Sequence, residues 1–258
     1  MFVDIRLTGK RALVTGANSG IGPATAIALG AAGARIIVNY IEQPHAADAV
    51  VAEVGRRKGE AFALRADVSD QAQVAAMFQQ VDRRWGGIDI LVNNAATIGE
   101  PTAAWEGPPA AWRHVLDVNL VGAYHCAREA MRRMIAQRGG VILTITSVHE
   151  LLPLSTFSAY SVSKAGLGML TKSLALEGGP HGVRVVALAP GAIRTRLTES
   201  TWSDPQILAD AETRIPLGRI GEPEEVARMA VVLCSDAASY VTGTTVFIDG
   251  GLVVGKSS

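Results

Sequence analysis

A tyrosine and a lysine stand four residues apart in a run of small residues, AYSVSKAG, at positions 159 to 166. On an α-helix this spacing places Tyr160 and Lys164 on the same face, one turn apart. A nearby ammonium favours the phenolate and lowers a phenol pKa that is ordinarily about 10. The pair therefore predicts a proton-transfer device, and an exposed helix face with an incidental pair is the simpler alternative.

A second chemical motif, TGANSGIG, follows the first apolar run of the chain at residues 15–22. Glycines allow a tight turn there and let backbone N–H groups approach a pyrophosphate at a helix N-terminus. The glycines concerned are Gly16, Gly20 and Gly22. Glycines also serve ordinary strand-to-helix turns, but an Ala-rich helix that starts near Pro23 favours dinucleotide binding.

Seven short apolar runs predict strands, and six longer Ala-rich segments predict helices between them. The strands are 11–16, 35–40, 61–67, 88–95, 140–147, 183–191 and 244–251, and the helices lie near 22–32, 45–58, 71–85, 110–137, 158–178 and 223–235. Apolar strands without strict alternation are typical of a sheet covered on both faces. We therefore expect one α/β domain over residues 1–258, with a doubly wound, Rossmann-type parallel sheet. Residues 192–222, whose periodicity is weak, are expected to form a small substrate lid.

Composition and charge argue against several other classes of protein. Acidic and basic residues number 24 each, and the longest basic tract is 56–58, so neither nucleic acid nor an anionic membrane is an expected partner. Cys126 and Cys234 lack metal-ligand spacing, and two reduced, buried thiols are expected instead of a disulfide. The N-terminal MFVDIRLTGK lacks the apolar region of a signal peptide, and no apolar stretch of about 18 residues follows. The expectation is a cytoplasmic protein that needs no metal.

The two motifs belong to a longer series that resembles the short-chain dehydrogenase/reductase family over essentially the whole chain. The series comprises TGANSGIG, Asn93-Asn94-Ala95-Ala96, Asn119, Ser147, Tyr160-x-x-x-Lys164, Pro190-Gly191 and Asp249-Gly250-Gly251. The family usually has glycine where this chain has Ala96, and we expect the added methyl to tighten the cofactor wall. The resemblance implies hydride transfer with a nicotinamide cofactor, in a homotetramer.

The resemblance implies four catalytic residues. Tyr160 would exchange the proton, while Lys164 would lower its pKa and hold the nicotinamide ribose. Ser147 would hydrogen-bond the substrate oxygen, and Asn119 would position a water for a proton relay to Lys164. No G-x-S-x-G surrounds Ser147, so a hydrolase nucleophile is not expected. Taken singly, a buried Tyr, a surface Lys, a strand-end Ser and a capping Asn would each be ordinary structural residues.

The resemblance also implies a set of cofactor-binding residues. They are Gly16, Asn18, Ser19, Gly20, Ile21 and Gly22 at the phosphates, Asn39 and Tyr40 after the second strand, Asp67 and Val68 at the adenine, Asn94 and Ala95 at the ribose, Tyr160 and Lys164, and Pro190, Gly191, Ile193 and Thr195 towards the carboxamide. The stretch 39–41 includes neither an acid to bind a free ribose nor a base to attract a 2′-phosphate. NAD and NADP both stay open, and the missing NADP clamp favours NAD slightly.

The substrate is expected to be a polyol or sugar. The stretch Ser147-Val148-His149-Glu150, with APGAIRTRL, ADAETRIPLGRIGEPEEVA and SYVTGTTVFIDGG, resembles the glucose 1-dehydrogenase branch of the family. His149, Glu150 and Glu100 are predicted to hydrogen-bond sugar hydroxyls, and a merely solvated loop is the alternative. Arg194 and Arg196 are predicted to point the same way in an extended segment, either into water or towards an anionic group of the sugar.

Three functions stay open on the sequence. A sugar 1-dehydrogenase that oxidises the anomeric hydroxyl to a lactone is favoured. A 3-oxoacyl-type or other carbonyl reductase has nearly the same motifs and is the main alternative. A non-catalytic dinucleotide-binding regulator is third, because the complete Ser-Tyr-Lys-Asn set argues against it.

Overall fold

The computed structural model describes residues 5–255, and its centre is a seven-stranded parallel sheet. The strands are β1 (Arg11–Val14), β2 (Arg35–Tyr40), β3 (Ala61–Arg65), β4 (Ile90–Asn93), β5 (Gly140–Ile145), β6 (Val183–Pro190) and β7 (Thr245–Ile248). Their order across the sheet is β3-β2-β1-β4-β5-β6-β7. The predicted doubly wound sheet is confirmed, and its order reverses between β1 and β4, where such sheets open a crevice at the carboxyl ends of their strands. The first four residues of MFVDIRLTGK lie outside the described residues.

Helices cover both faces of this sheet. They are α1 (Ile21–Ala31), α2 (Pro44–Arg56), α3 (Gln71–Trp85), α4 (Pro109–Leu116), α5 (Gly122–Ala136), α6 (Ser158–Gly178), α7 (Glu199–Trp202), α8 (Pro205–Thr213) and α9 (Pro223–Cys234). One hydrophobic core lies between the sheet and α1, α2 and α9, and a second lies between the sheet and α3, α5 and α6. Consecutive residues of β1 enter opposite cores, since Ala12 and Val14 belong to the first and Leu13 to the second. Among the described residues, no helix is long and apolar enough to cross a membrane.

Several strands end earlier than their apolar runs predict. The run 88–95 forms a strand only over Ile90–Asn93, and the run 140–147 ends as a strand at Ile145. The next residues leave the regular ladder at the carboxyl edge and turn towards the crevice. Apolar patterning therefore locates each strand but overshoots its functional end.

The long helical segment predicted over 110–137 is interrupted in its middle. A π-helical turn over Asp117–Val121 separates α4 from α5. Asn119 lies in this turn, is buried, and donates to the main-chain oxygen of Thr97 at 2.8 Å. The widened turn is a common feature at functional sites, and it places the Asn119 side chain in the protein interior instead of solvent.

The segment 192–222 is partly helical, which its weak periodicity did not predict. Helix α8 starts at Asp204, whose carboxylate accepts hydrogen bonds from the N–H groups of Gln206 and Ile207. None of the residues of α8 is buried, so no apolar stripe marks it in the sequence. The segment is attached at its ends, because Ile193 forms an isolated parallel bridge with Gly221.

Candidate active site

A cleft of about 840 Å³ opens at the carboxyl edge of the sheet. Its volume lies within the range of about 300–1,000 Å³ that small-molecule and cofactor sites occupy. The predicted site residues that line it are Gly16, Asn18, Ser19, Gly20, Ile21, Asn39, Asp67, Val68, Asn94, Ala95, Ser147, Tyr160, Lys164, Pro190, Gly191, Ile193, Thr195 and Arg196. The structure therefore brings most of the predicted cofactor and catalytic residues together in one place.

The glycine loop between β1 and α1 has no room for side chains. Gly16 has φ +58°, and a Cβ there would lie 2.9 Å from Cα of Ala95. A Cβ at Gly22 would collide with the carbonyl oxygen of Gly16 and lie 2.8 Å from Nδ2 of Asn94. Helix α1 begins after Gly20 without a side-chain cap, so its first N–H groups are left for a ligand anion. This cradle fits the pyrophosphate of a dinucleotide.

Two asparagine side chains hold the glycine loop from either side. Nδ2 of Asn94 donates to the main-chain oxygens of Thr15 and Gly16 at 2.9 and 3.0 Å. Oδ1 of Asn39 accepts from the N–H of Gly16 at 3.3 Å, while its Nδ2 donates to the oxygen of Ala66 at 3.0 Å. Both side-chain amides thus form hydrogen bonds to main-chain atoms. They shape the cofactor cleft by fixing the loop, whatever contact they also make with a ribose.

Lys164 and Tyr160 are both buried in the wall of the cleft. Nζ of Lys164 donates to the carbonyl oxygen of Ile145 at 2.9 Å and lies 5.5 Å from the centroid of the Tyr160 ring. The Ser147 side chain lies near the Tyr160 hydroxyl and acts to lower the pKa of Tyr160. Ser147 also accepts from the N–H of His149 at 3.2 Å, which fixes its position at the end of β5. A phenol, a hydroxyl and an ammonium therefore meet at one point.

Burial dominates the acid–base properties of this group. It raises the pKa of Tyr160 above the ordinary value, and the hydrogen bond from Ser147 acts in the opposite direction. Burial also lowers the pKa of Lys164 to about 8, against the favourable charge of Glu150. Burial is thus the larger influence on the pKa of Tyr160 in this structure, and the lowering of that pKa by Lys164 stays a prediction.

Asn119 uses its side chain to join two segments of the site. Its Oδ1 accepts from the N–H of Thr97 at 2.8 Å, and its Nδ2 donates to Oγ of Ser163 at 3.0 Å as well as to the oxygen of Thr97. Both amide hydrogens are therefore engaged with protein atoms. The role of Asn119 in positioning a water for a proton relay to Lys164 stays a prediction.

Ser163 is a site residue that the sequence reading missed. It is fully buried, accepts from Asn119 and donates to the main-chain oxygen of Tyr160 at 2.7 Å. The π turn is in this way tied to the helix that carries Tyr160 and Lys164. The only signal in the sequence was its place directly before Lys164 in a run of small residues.

Three predicted ligand contacts lie outside the cleft wall. Tyr40 packs against the first hydrophobic core, because alternate residues of a strand face opposite ways. Glu100 is exposed in the loop that follows β4. Gly22 lies beneath Gly16 and acts through close packing. The ligand contacts of Tyr40 and Glu100 stay predictions, and Gly22 supports the cleft from behind.

His149 and Arg194 are not among the residues that line the cleft. Nδ1 of His149 is 2.9 Å from the oxygen of Leu152, and its ring lies edge-on to that of Tyr160 with centroids 6.1 Å apart. Nε of Arg194 donates to Glu222 at 3.2 Å, and its guanidinium lies 5.3 Å from the centroid of the Trp202 ring. The contacts of these two side chains with the substrate stay predictions.

Arg196 is exposed and lines the cleft, unlike Arg194. The two arginines diverge because the extended segment ends at Thr195, which caps a short 3₁₀ turn over Arg196–Thr198. The prediction that both point the same way is wrong. A single guanidinium remains at the edge of the cleft.

Some residues of the cleft wall had no sequence prediction. Ala96, with the methyl that departs from the usual family pattern, lines the cleft, as do Glu42, Gln43, His114 and Val118. Glu42 is the most informative, because it is an exposed carboxylate just beyond the stretch 39–41 that was considered for cofactor choice. The loop between β2 and α2, residues 41–43, therefore places an acidic residue, Glu42, at the cleft.

Comparison with known proteins gives one consistent family. Residues 16–253 match the family model described as enoyl-(acyl carrier protein) reductase. 3beta-Hydroxysteroid dehydrogenase 1 of Eggerthella lenta is 42% identical over 255 residues, which are 98% of this chain and 97% of that protein. The 3-oxoacyl-[acyl-carrier-protein] reductase of Synechocystis is 41% identical over 96% of this chain and 98% of that protein. Glucose 1-dehydrogenase 2 of Bacillus subtilis is 37% identical over 96% of this chain and 96% of that protein.

Solved structures agree closely with this fold. A gluconate 5-dehydrogenase from Burkholderia cenocepacia in complex with NADP and tartrate superposes with a TM-score of 0.92 at 35% identity, covering 97% of this chain and 98% of that one. A 7 alpha-hydroxysteroid dehydrogenase complexed with NADH gives the same TM-score, identity and coverage. The chain belongs to the short-chain dehydrogenase/reductase family of NAD(P)-dependent oxidoreductases that act on CH–OH groups.

Proposed function

We propose that this oxidoreductase oxidises the anomeric hydroxyl of a cyclic sugar to a lactone. The observation that carries the chemistry is that Ser147, Tyr160 and Lys164 line the same cleft, with Nζ of Lys164 5.5 Å from the centroid of the Tyr160 ring. Similarity to glucose 1-dehydrogenase 2 supports the choice of substrate. The main alternative is a 3-oxoacyl-type carbonyl reductase, which the similarity to the Synechocystis enzyme supports.

The proposed mechanism divides the work between the side chains. Bound nicotinamide cofactor supplies the hydride acceptor. Ser147 hydrogen-bonds the substrate oxygen, and Tyr160 takes the proton from the same oxygen. Lys164, as an ammonium, stabilises the phenolate that burial disfavours. Asn119 keeps this arrangement through Ser163, which holds the backbone of Tyr160.

We propose a preference for NAD over NADP. Glu42 lines the cleft close to Asn18, whose Nδ2 donates to the main-chain oxygen of Glu42 at 2.8 Å. A carboxylate beside the phosphate loop would accept a hydrogen bond from a free ribose and repel a 2′-phosphate. The earlier slight preference for NAD thus gains a physical reason.

We propose a homotetramer in which α5 and α6 pack against their copies. Large apolar side chains are exposed on both helices, namely Tyr124 on α5 and Val162 and Met169 on α6, and Val121 is exposed directly before α5. Met169 is 60% exposed, an unusual position for so apolar a side chain unless a partner covers it.

We also propose that the segment 192–222 acts as the substrate lid, since Ile193, Thr195 and Arg196 of this segment line the cleft.

Replacing Tyr160 by Phe should remove the proton acceptor and keep the ring. We expect kcat to fall by a factor of about 100 or more, while the affinity for the cofactor stays within a few-fold of wild type. Turnover with a cofactor-coupled absorbance assay and binding by calorimetry measure the two effects. Near-normal turnover in the variant would show that Tyr160 is not the proton acceptor.

The substrate class is tested with a panel of free sugars and 3-oxoacyl thioesters. Arg196 has no ion pair with any described residue and lines the cleft, so an anionic group on the sugar would give it a partner. We expect a higher kcat/KM for glucose 6-phosphate or glucuronate than for glucose, and loss of that preference in Arg196→Ala. Arg194→Ala is the matched control and should keep the preference, since Arg194 is paired with Glu222.

Equal use of neutral and anionic sugars by the wild-type enzyme would reject the anionic substrate. Reduction of 3-oxoacyl thioesters without any sugar oxidation would reject the sugar dehydrogenase and leave the carbonyl reductase.

Cofactor choice is tested at the β2–α2 loop. Discrimination between NAD and NADP should stay within roughly 1–3 kcal/mol in the wild type. Ile41→Arg should shift the ratio of kcat/KM values towards NADP by supplying a guanidinium, and Glu42→Gln should shift it the same way by removing the repelling charge. Glu106→Gln, in an exposed loop outside the cleft, is the control. An unchanged ratio in both test variants would contradict the proposed role of this loop.

The quaternary structure is tested by light scattering at micromolar concentration. Wild type should have the mass of four chains, and the double variant Val162→Asp/Met169→Asp should dissociate, because charges would have to be buried in the interface. Ile207→Asp alters an exposed apolar residue of α8 instead and should leave the mass unchanged. A monomeric wild type would disprove the proposal.

A further inference from the structure

Glu150 carries a buried carboxylate oxygen that lacks a hydrogen-bond partner. It ends the short 3₁₀ turn Val148–Glu150, directly after Ser147. Its Oε2 is inaccessible to solvent and forms no hydrogen bond with any residue that the structure describes. Burying part of a carboxylate in this way costs free energy unless a charge or a donor compensates for it.

The carboxylate of Glu150 packs against helix α6 at Gly168. A Cβ at this position would lie 3.3 Å from Oε2 and 3.4 Å from Oε1 of Glu150, so a larger residue would press on the carboxylate. Gly168 follows Lys164 by one helical turn, and both are buried on the same face of α6. Glu150 therefore packs on the face of α6 that carries Lys164, and the two side chains form no direct ion pair among the described residues.

The ammonium of Lys164 has N–H donors without a partner among the described residues, and a nearby negative charge would stabilise its charged form. An ammonium has three N–H donors, and the bond to the oxygen of Ile145 uses one of them. Burial lowers the pKa of Lys164 to about 8, and the negative charge of Glu150 partly opposes this decrease. Without that charge, more of the lysine would be neutral at neutral pH.

The other titratable groups around Lys164 do not take this role. Tyr160 precedes it on α6, and His149 lies against the Tyr160 ring from the same turn as Glu150. His114 from α4 and Arg196 from the lid segment line the cleft that Lys164 also lines, and neither carries negative charge. Lys172, one turn beyond Gly168, is exposed and forms no ion pair with Glu150. Glu150 is the carboxylate whose charge acts on Lys164.

We propose that Glu150 is the counter-charge of Lys164 and thereby a positioning residue for the reaction. It keeps Lys164 in the ammonium form, so that the ammonium can stabilise the phenolate of Tyr160 and bind a ribose hydroxyl. Glu150 itself need not contact substrate or cofactor, since it lies outside the cleft wall. The proposal rests on the role proposed above for Lys164.

The test measures the titration of Lys164 without turnover. The chain has only five lysines, Lys10, Lys58, Lys164, Lys172 and Lys256, so NMR of enzyme labelled with ¹³C at the lysine ε-carbon gives few signals. Lys164→Arg assigns the relevant one by its loss. We expect a pKa near 8 in the wild type, and a decrease of about 0.5–1 pH unit or more in Glu150→Gln. Glu150→Asp, which keeps the charge, should restore most of the value.

Glu177→Gln removes an exposed carboxylate from the same helix and is the control for a general change of charge. An unshifted Lys164 signal in folded Glu150→Gln would overturn the proposal, as would equal shifts in Glu150→Asp and Glu150→Gln. The pH profile of kcat distinguishes the role of Glu150 as counter-charge from the role of Lys164 in turnover. If the Lys164 pKa falls in Glu150→Gln and the profile does not move, the role of Lys164 in turnover is wrong and the role of Glu150 as its counter-charge stands.

Discussion

The whole site depends on a close approach between two loops at the carboxyl edge of the sheet. Gly16 meets Ala95, and Gly22 meets the oxygen of Gly16, with no space for even one methyl group at either glycine. Asn94 closes this contact by hydrogen bonds to the loop backbone. Because the loop is held from the side of β4, the start of α1 faces an open cleft and its free N–H groups can receive an anion.

The catalytic wall is built on the opposite principle, since it places polar groups where burial penalises their charged forms. Burial raises the pKa of Tyr160 and lowers that of Lys164, so each group moves towards its neutral form. Hydrogen bonds from Ser147 and the charge of Glu150 work against these shifts. The net effect lowers the pKa of Lys164 to about 8. This value is close to neutral pH, where proton transfer during turnover takes place.

The sequence predicted the sheet well, because parallel strands buried on both faces leave continuous apolar runs. It predicted the cleft residues that belong to fixed motifs, such as Tyr160 and Lys164. It failed where direction depends on tertiary contacts. Arg194 and Arg196 diverge because a short turn begins after Thr195. The hydrogen bonds of the Asn119 side chain with Thr97 and Ser163 were also not predicted. Neither the turn nor these long-range bonds leaves a periodic signal.

The most direct test of this account is the affinity of the Gly22→Ala variant for NAD and NADH, measured by calorimetry. Gly22 has ordinary helical geometry, so alanine adds no backbone strain and acts only through its methyl group against Gly16 and Asn94. Gly55→Ala, in α2 with no atom within 4 Å of the added Cβ, is the matched control. The account predicts a folded Gly22→Ala protein whose cofactor dissociation constant rises about tenfold or more, with no change in Gly55→Ala. Wild-type affinity in Gly22→Ala would contradict it.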